Sequence, residues 1–299
     1  MEKLCTLCPR KCSVDRKTSQ GVCGASDKVK VARVMLHMWE EPCVSGEKGS
    51  GAIFFSHCPL RCVYCQNKEI SHGGKGKEIT VSQLGEYMLT LQEKGAHNIN
   101  LVTPTHYSAQ IRQAIDLIRD KLKIPVVYNT SGYELDEEIE KMAGYVDVFL
   151  TDVKYFSGEY SKKYSKAEDY YEVTKKALTA MLKIAPCVEL DGDGIIKKGV
   201  IIRHLVLPTL RKDSINLLND LKGCIDVSRV KLSLMAQYTP DFTDEEYKEL
   251  KRKITTFEYE SVVKTALSLG FDGYIQDKSS AVSDFTPEFY EDFIDSIDT

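Results

Sequence analysis

The sequence has no segment that approaches the ~20 apolar residues in a row needed to span a membrane as a helix, and it carries a single tryptophan among its 299 residues. It has no excess of positive charge either. Its 40 Lys and Arg stand against 44 Asp and Glu, both signs interspersed, for a net charge of −4. No basic face is left to grip a nucleic-acid backbone. The first residues lack the apolar core that an export signal needs, and a cysteine already stands at position 5. The expected location is cytoplasmic, with neither a nucleic acid nor a membrane as partner. What the chain has in quantity is cysteine, ten in all. In a chain of this length without an export signal, so many thiols indicate metal or redox work rather than a disulfide scaffold.

Seven of the ten fall into two groups. Cys58, Cys62 and Cys65 follow the apolar run Ile53-Phe54-Phe55, which reads as a buried strand. Their thiols belong in the loop at that strand's C-terminal end, where parallel α/β architectures place their chemistry. A cubane iron-sulfur cluster has four irons and is normally tied by four thiolates, and this loop supplies three. The inference is a [4Fe-4S] cluster with one iron left without a protein ligand, an open position of the kind that marks a reactive centre. A zinc knuckle would need His57 or His72 as its fourth ligand, and Cys-Pro-Leu-Arg-Cys is a poor sequence for a core strand of unliganded thiols.

The second group, Cys5, Cys8, Cys12 and Cys23, is spaced C-x2-C-x3-C-x10-C in a segment too short and polar to form its own core. A metal would hold its shape. Four thiolates suit zinc or a second iron-sulfur cluster, and spacing does not separate the two; a reduced, metal-free arm is the third reading. Cys43, Cys187 and Cys224 have no close partner in sequence and read as ordinary thiols.

Beyond the central loop, apolar strands alternate with amphipathic helices. Strands are expected at 98–102, 124–128, 146–150, 199–207 and 230–236, with helices between them and further helices near 245–253 and 258–269. Such alternation indicates a parallel sheet. With the strand before the cysteines, six βα steps are counted, two short of a closed eightfold barrel. The expected fold is therefore α/β, a partial (β/α)6 TIM-type barrel open at the side. Residues 1–45 are expected to form a Cys-rich metal-binding extension, 46–240 the barrel, and 241–299 a C-terminal helical extension packed on it. His37, Trp39, Glu40 and Glu41 form a polar-aromatic group suited to lining a substrate pocket, as do His106 and Tyr107 after the 98–102 strand. Glu189 to Gly194 begins like a calcium loop but has Val200 where a bidentate Glu is required, so it reads as a turn.

The C-x3-C-x2-C spacing with Tyr64 before the last cysteine resembles the signature of radical S-adenosylmethionine (SAM) enzymes. The chain looks closest to the uncharacterised iron-sulfur homologues of pyruvate formate-lyase activating enzyme, through Glu40-Glu41-Pro42, Cys65-Gln66-Asn67 and Ser233 to Pro240. The resemblance implies that SAM chelates the open iron and is cleaved reductively to a 5′-deoxyadenosyl radical. It also implies a flavodoxin- or ferredoxin-type reductant. Thr105 lies where relatives carry a Gly-Gly-Glu segment that meets the SAM amine. Asn129-Thr130 and Asp152-Val153-Lys154 resemble their Asp-Thr-Asn-Gly and Asp-Leu-Lys segments, which makes Lys154 the partner of the SAM carboxylate. Arg203 matches an arginine-bearing strand, and Gln237 stands where relatives place a SAM-contacting histidine. A glycyl-radical enzyme as the target, radical modification of a small molecule, and simple electron transfer are the three readings that follow.

Overall fold

The structure is a computed structural model describing residues 4–276. Short Val- and Ile-rich runs separated by amphipathic stretches give, in chain order, β1 (Val29–His37), α1 (Pro42–Ser45), β2 (Ser50–Phe55), α2 (Lys68–Ser71), β3 (Lys77–Ile79) and α3 (Val81–Glu93). Then come β4 (Ile99–Val102), α4 (Ser108–Ile118), β5 (Val126–Thr130), α5 (Asp136–Glu140), β6 (Val148–Asp152), α6 (Gly158–Ser165) and α7 (Tyr170–Ile184). The chain continues through β7 (Glu189–Leu190), β8 (Ile196–Leu205), α8 (Arg211–Cys224), β9 (Val230–Met235), α9 (Thr256–Ser268) and β10 (Gly273–Ile275).

The sheet runs β10-β9-β8-β6-β5-β4-β2-β1-β3, with β7 paired to β8 as a hairpin. β2, β4, β5, β6, β8 and β9 are mutually parallel, and β10 adds a seventh parallel strand at one edge. At the other edge β1 is antiparallel to β2 and to β3, and the sheet does not close on itself. This is the partial (β/α)6 barrel anticipated from the alternation.

Alternate residues of a strand face opposite ways. On the outer face Ile53, Leu101, Tyr128, Phe149 and Ile202 join helix residues such as Leu84, Ile111 and Leu178 in the main core. On the inner face the bottom of the barrel is filled by Val127, Val148, Leu150 and Ile201, together with Cys43 and Val44 of α1. His37 pairs with Ser50 at the start of β2, and Asn98 Nδ2 donates to Val44 O at 2.7 Å. The chain between β1 and β2 therefore plugs the lumen from the N-terminal ends of the strands. Both β1 and this plug lie within residues 1–45, so the part of that segment outside the sheet ends near residue 28.

The sequence pattern places a helix at 245–253, but the structure has only the 3-10 turn Lys248–Leu250 there. Tyr247 and Leu250 are drawn into the apolar cluster under the cysteine loop. The Tyr238 hydroxyl donates to Leu250 O at 2.7 Å, satisfying that carbonyl without a continuing helix. The 189–194 stretch is no calcium loop, as expected: Glu189 and Leu190 form β7, and in the hairpin turn that follows Asp191 accepts from the backbone of Asp193 and Ile195 at 3.0 and 2.9 Å. The part of the expected C-terminal extension at 277–299 lies outside the described residues.

Candidate metal centre and cosubstrate site

The loop after β2 carries the three thiols over the C-terminal mouth of the barrel. Cys58, Cys62 and Cys65 pack with Leu60, Val63 and Tyr64 in one apolar cluster, and each sulfur has a local polar neighbour. Leu60 N–H donates to Cys58 Sγ at 3.5 Å, Ser165 Oγ–H to Cys62 Sγ at 3.0 Å, and Ser71 Oγ lies 3.3 Å from Cys65 Sγ. Tyr64 is buried with its hydroxyl 2.6 Å from that of Tyr155, and Tyr155 in turn lies 2.8 Å from Ser165 Oγ. Tyr64 thus props the loop through a chain of hydroxyls that ends on a ligand sulfur. Hydrogen bonds to ligand sulfurs of this sort orient them and tune a metal centre.

Burial pushes the Cys58 thiol up to about 12 and the Cys62 thiol up to about 11, the latter pulled back by Lys154. Thiols of this kind lose their protons to solvent when a metal binds, because the cation stabilises the thiolate that burial alone disfavours. Among the described residues no three His, Cys, Asp or Glu side chains converge tightly enough for one metal ion. A cubane asks for something else, one thiolate on each of several irons, and three thiols in one loop, Cys62 buried and Cys58 and Cys65 half-buried, fit that demand.

Below the loop the lumen is polar. Arg203, on the inner face of β8, donates from Nε to Asp152 Oδ1 at 2.9 Å, from Nη1 to Glu40 Oε2 at 3.2 Å and from Nη2 to Asn129 Oδ1 at 2.6 Å. Glu40 Oε1 also accepts from Asn100 Nδ2 at 2.9 Å and Asn129 Nδ2 at 3.2 Å. Lys154 Nζ reaches Asp152 Oδ2 at 2.5 Å. Burial works to raise the Asp152 carboxyl, but Arg203 and Lys154 outweigh it and hold it below the ordinary carboxylate value. Burial likewise works against charge on Lys154, and Asp152 and Cys62 beside it overcome that, so the lysine stays cationic. Of these groups Lys154 acts most strongly on the cysteine loop, lowering the Cys62 thiol, while Asp152 opposes it more weakly. Glu41 is buried beside Glu40; burial raises its pKa although Arg203 opposes the rise, and its Oε2 has no hydrogen-bond partner.

The expected cosubstrate residues divide between two places. Asn129, Asp152, Lys154 and Arg203 gather in the lumen with Glu40 and Glu41. Thr105 and Thr130 sit elsewhere, both donating to Glu134 Oε1, Thr105 at 2.6 Å. Thr130 follows Asn129 on the strand and so points to the outer face. Glu134 was not singled out from sequence. Its position depends on Gly132, whose φ of +78° turns the chain and whose Cα approaches so closely that a Cβ would sit 2.2 Å from Asp152 O. Burial pushes the Glu134 carboxyl up to about 7, against the pull of the two threonines. Gln237 is held by Gln276, whose Nε2 donates to its Oε1 at 3.3 Å.

Of the expected pocket residues, only Glu40 and Glu41 enter the lumen. His37 is buried edge-on to Phe54, and Trp39 is 62% exposed. His106 and Tyr107 are fully buried; His106 Nε2 lies 2.8 Å from Ser56 O, and the Arg16 guanidinium lies over the Tyr107 ring. His204, next to Arg203, turns outward, its ring nitrogens 2.7 Å from Val153 O and 2.8 Å from Ser214 Oγ. Ser165, Tyr155 and Asn100 also escaped sequence reasoning; Ser165 meets Cys62 across 103 positions, and no local signal marks it.

A parallel, unclosed barrel with a three-cysteine loop over a charged lumen defines a class, and the comparison with known families agrees. The chain belongs to the radical SAM superfamily, whose family model matches residues 52–221. It is therefore a radical SAM enzyme, with the SAM and [4Fe-4S] cluster that the superfamily uses. It is similar to the uncharacterized protein MJ0674 of Methanocaldococcus jannaschii, 29% identical over 288 residues that cover 90% of this chain and 76% of that protein. It is also similar to the pyruvate formate-lyase-activating enzyme of Clostridium pasteurianum, 26% identical over 189 residues that cover 60% of this chain and 72% of that enzyme. Among solved structures it is similar to Streptococcus suis SuiB bound to S-adenosylmethionine, at 11% identity and a TM-score of 0.49. The match covers 74% of this chain and 48% of that one, so the chain spans about half the length of SuiB. Among the described residues no helix is long and apolar enough to cross a membrane.

Proposed function

We propose that Cys58, Cys62 and Cys65 hold the cluster and that Lys154 receives the carboxylate of SAM, in an enzyme that activates a glycyl-radical protein. A cluster held there would supply one electron for reductive cleavage of SAM, chemistry that would end in hydrogen abstraction from the target. The observation that carries this reading is the cationic Lys154, fixed by Asp152 and facing the Cys62 thiol at the barrel mouth. Around it, this chain's residues do three things. The hydroxyl chain Tyr64–Tyr155–Ser165 positions the Cys62 sulfur. The pairing of Arg203 with both Asp152 and Glu40 fixes the lumen carboxylates, so that Lys154 alone is turned toward an incoming anion. The α1 plug closes the far end of the barrel and leaves access from the mouth and the open side.

The activase role is favoured by the partial likeness to the pyruvate formate-lyase-activating enzyme, and a flavodoxin- or ferredoxin-type protein would be its reductant. The N-terminal thiols Cys5, Cys8, Cys12 and Cys23 are assigned a second metal. The test is anaerobic reconstitution with iron and sulfide, then SAM and dithionite, with 5′-deoxyadenosine measured for the wild type and for Cys62→Ala. The wild type is expected to release 5′-deoxyadenosine and the variant to lose about 99% of it, since loss of a mere hydrogen-bond partner of a metal ligand already costs ~10–100-fold. Release by the variant at the wild-type rate would refute the loop as the cluster site. A glycyl radical seen by EPR in a candidate partner would identify the target.

A further inference from the structure

The N-terminal four-cysteine segment lies directly against the loop that carries Cys58, Cys62 and Cys65. Arg10, between Cys8 and Cys12 in sequence, donates from Nε to Pro59 O at 2.8 Å and from Nη2 to Ser165 O at 3.2 Å. Pro59 adjoins Cys58, and Ser165 donates its hydroxyl to Cys62 Sγ at 3.0 Å. The second bridge is Gly24, which adjoins Cys23. Its φ is +90°, and a Cβ there would come within 2.8 Å of His57 Nδ1, the residue before Cys58. A side chain at position 24 would force the two segments apart. The extension is pinned further back by Arg16, which donates from Nε to Ser26 O at 2.9 Å and from Nη1 to His106 O at 2.5 Å.

Within the extension the thiols share one small volume. Cys8 and Cys23 are buried, and the Cβ direction of Gly21 meets Cys12 Sγ at 3.2 Å and Cys23 Sγ at 3.5 Å. Cys8 lies in the electrostatic range of Cys12 and Cys23, and Cys23 in that of Cys5 and Cys12. No three of them converge on an ion-sized point. A tetrahedral zinc gathers its four sulfurs around one atom at ~2.3 Å each, whereas a cubane spreads them over four irons. Four thiolates in one shared volume suit either group, and contact with the loop of the central cluster is what favours the redox-active one.

We propose that Cys5, Cys8, Cys12 and Cys23 hold a redox-active iron-sulfur cluster that passes single electrons to the cluster at Cys58, Cys62 and Cys65 across the Arg10–Pro59 and Gly24–His57 bridges. The inference deepens the radical SAM reading and rests on it. The electron count closes: a low-potential one-electron donor of the flavodoxin or ferredoxin class reduces the N-terminal cluster and is itself oxidised by one electron. That electron moves to the central cluster and is spent in breaking one sulfur–carbon bond of SAM. The difference in ligand number gives the direction. A cluster closed by four thiolates offers no iron to substrate and can only exchange electrons, and one closed by three can bind and react.

The protein is reconstituted anaerobically with ferrous iron and sulfide as full chain, beside a Cys8→Ser/Cys12→Ser variant. Iron and zinc are counted, and dithionite-reduced samples are read by EPR. The wild type is expected to hold about eight irons and the variant about four. The reduced wild-type spectrum should show spin–spin broadening that the variant lacks. With a reduced flavodoxin as donor, 5′-deoxyadenosine formation should fall at least tenfold in the variant, while dithionite, small enough to reach the central cluster directly, still supports it. One zinc per chain, four irons in the wild type, or a reduced spectrum with no sign of interaction would each overturn the relay. The wild-type iron count and spectrum stand even if the variant does not fold. Dithionite-driven SAM cleavage by the wild type tests the central site by itself, so four irons with cleavage intact sinks only the relay, and absence of cleavage at full iron loading sinks the reading beneath it.

Discussion

The two faces of the barrel strands differ more than their sequences do. Arg203 and His204 are neighbours on β8, both polar, the first half-buried and the second buried, yet Arg203 holds two carboxylates in the lumen and His204 makes only neutral hydrogen bonds, to Val153 O and to Ser214 on α8. On β5, Asn129 faces Arg203 and Glu40, and Thr130 faces Glu134 on the other side. Charge is collected inward, where Arg203 and Lys154 pair with Asp152 and Glu40, and the outer polar groups are kept neutral or nearly so. The physical reason is the cost of an unpaired charge away from water, which only a dense network offsets. Under the proposed function the lumen would also meet a zwitterionic, cationic cosubstrate, and a network with fixed charges does that without rearranging.

Three substitutions test this contrast, in descending order of effect. Arg203→Met leaves Glu40 and Asp152 facing each other without their shared cation, and is expected to cost about 3–5 kcal/mol in urea unfolding; a cost under ~1 kcal/mol would mean that the lumen is wetter than its burial implies. His204→Asn tests the outer face through pH. Burial holds the His204 ring down to about 4 in the folded chain, below the ~6.5 of an unfolded histidine. Its neutral form is the folded one, so its contribution is complete above ~6.5 and is lost as pH falls toward 4, on the order of 3 kcal/mol in all. The variant should lose less stability than the wild type between those pH values, and identical acid profiles would remove His204 from the account. Lys154→Met keeps the fold but withdraws the cation from the mouth; SAM affinity, read by equilibrium dialysis on the reconstituted protein, should weaken about tenfold, or ~1.4 kcal/mol. An unchanged affinity would leave Lys154 as an internal partner of Asp152 alone.

The strand-and-helix alternation was legible because each element buries one periodic face, and period is a local property. The inner position of Asp152 and Arg203 followed from the same alternation, and so did the outward turn of His204. Thr130's outward place followed from it too, but its meeting with Thr105 on Glu134 did not, because Glu134 reaches them through the tight turn at Gly132, which no periodicity describes. The missing helix at 245–253 fails for a similar reason: its helical spacing is overruled by Tyr247 and Leu250, which are drawn into the cluster beneath the cysteine loop.

By itself, the sequence pointed to the chemistry, because the three cysteines proposed to hold the cluster lie within eight consecutive residues and a metal site that local needs little help from the rest of the chain. Tertiary structure alone decided what surrounds it: that Glu40 and Glu41 rise into the lumen, that Ser165 holds Cys62, and that the N-terminal cysteines rest against the central loop. Those contacts join segments from 49 to 163 positions apart, and they exist only once the closing entropy of such loops has been offset by burial of the faces between them.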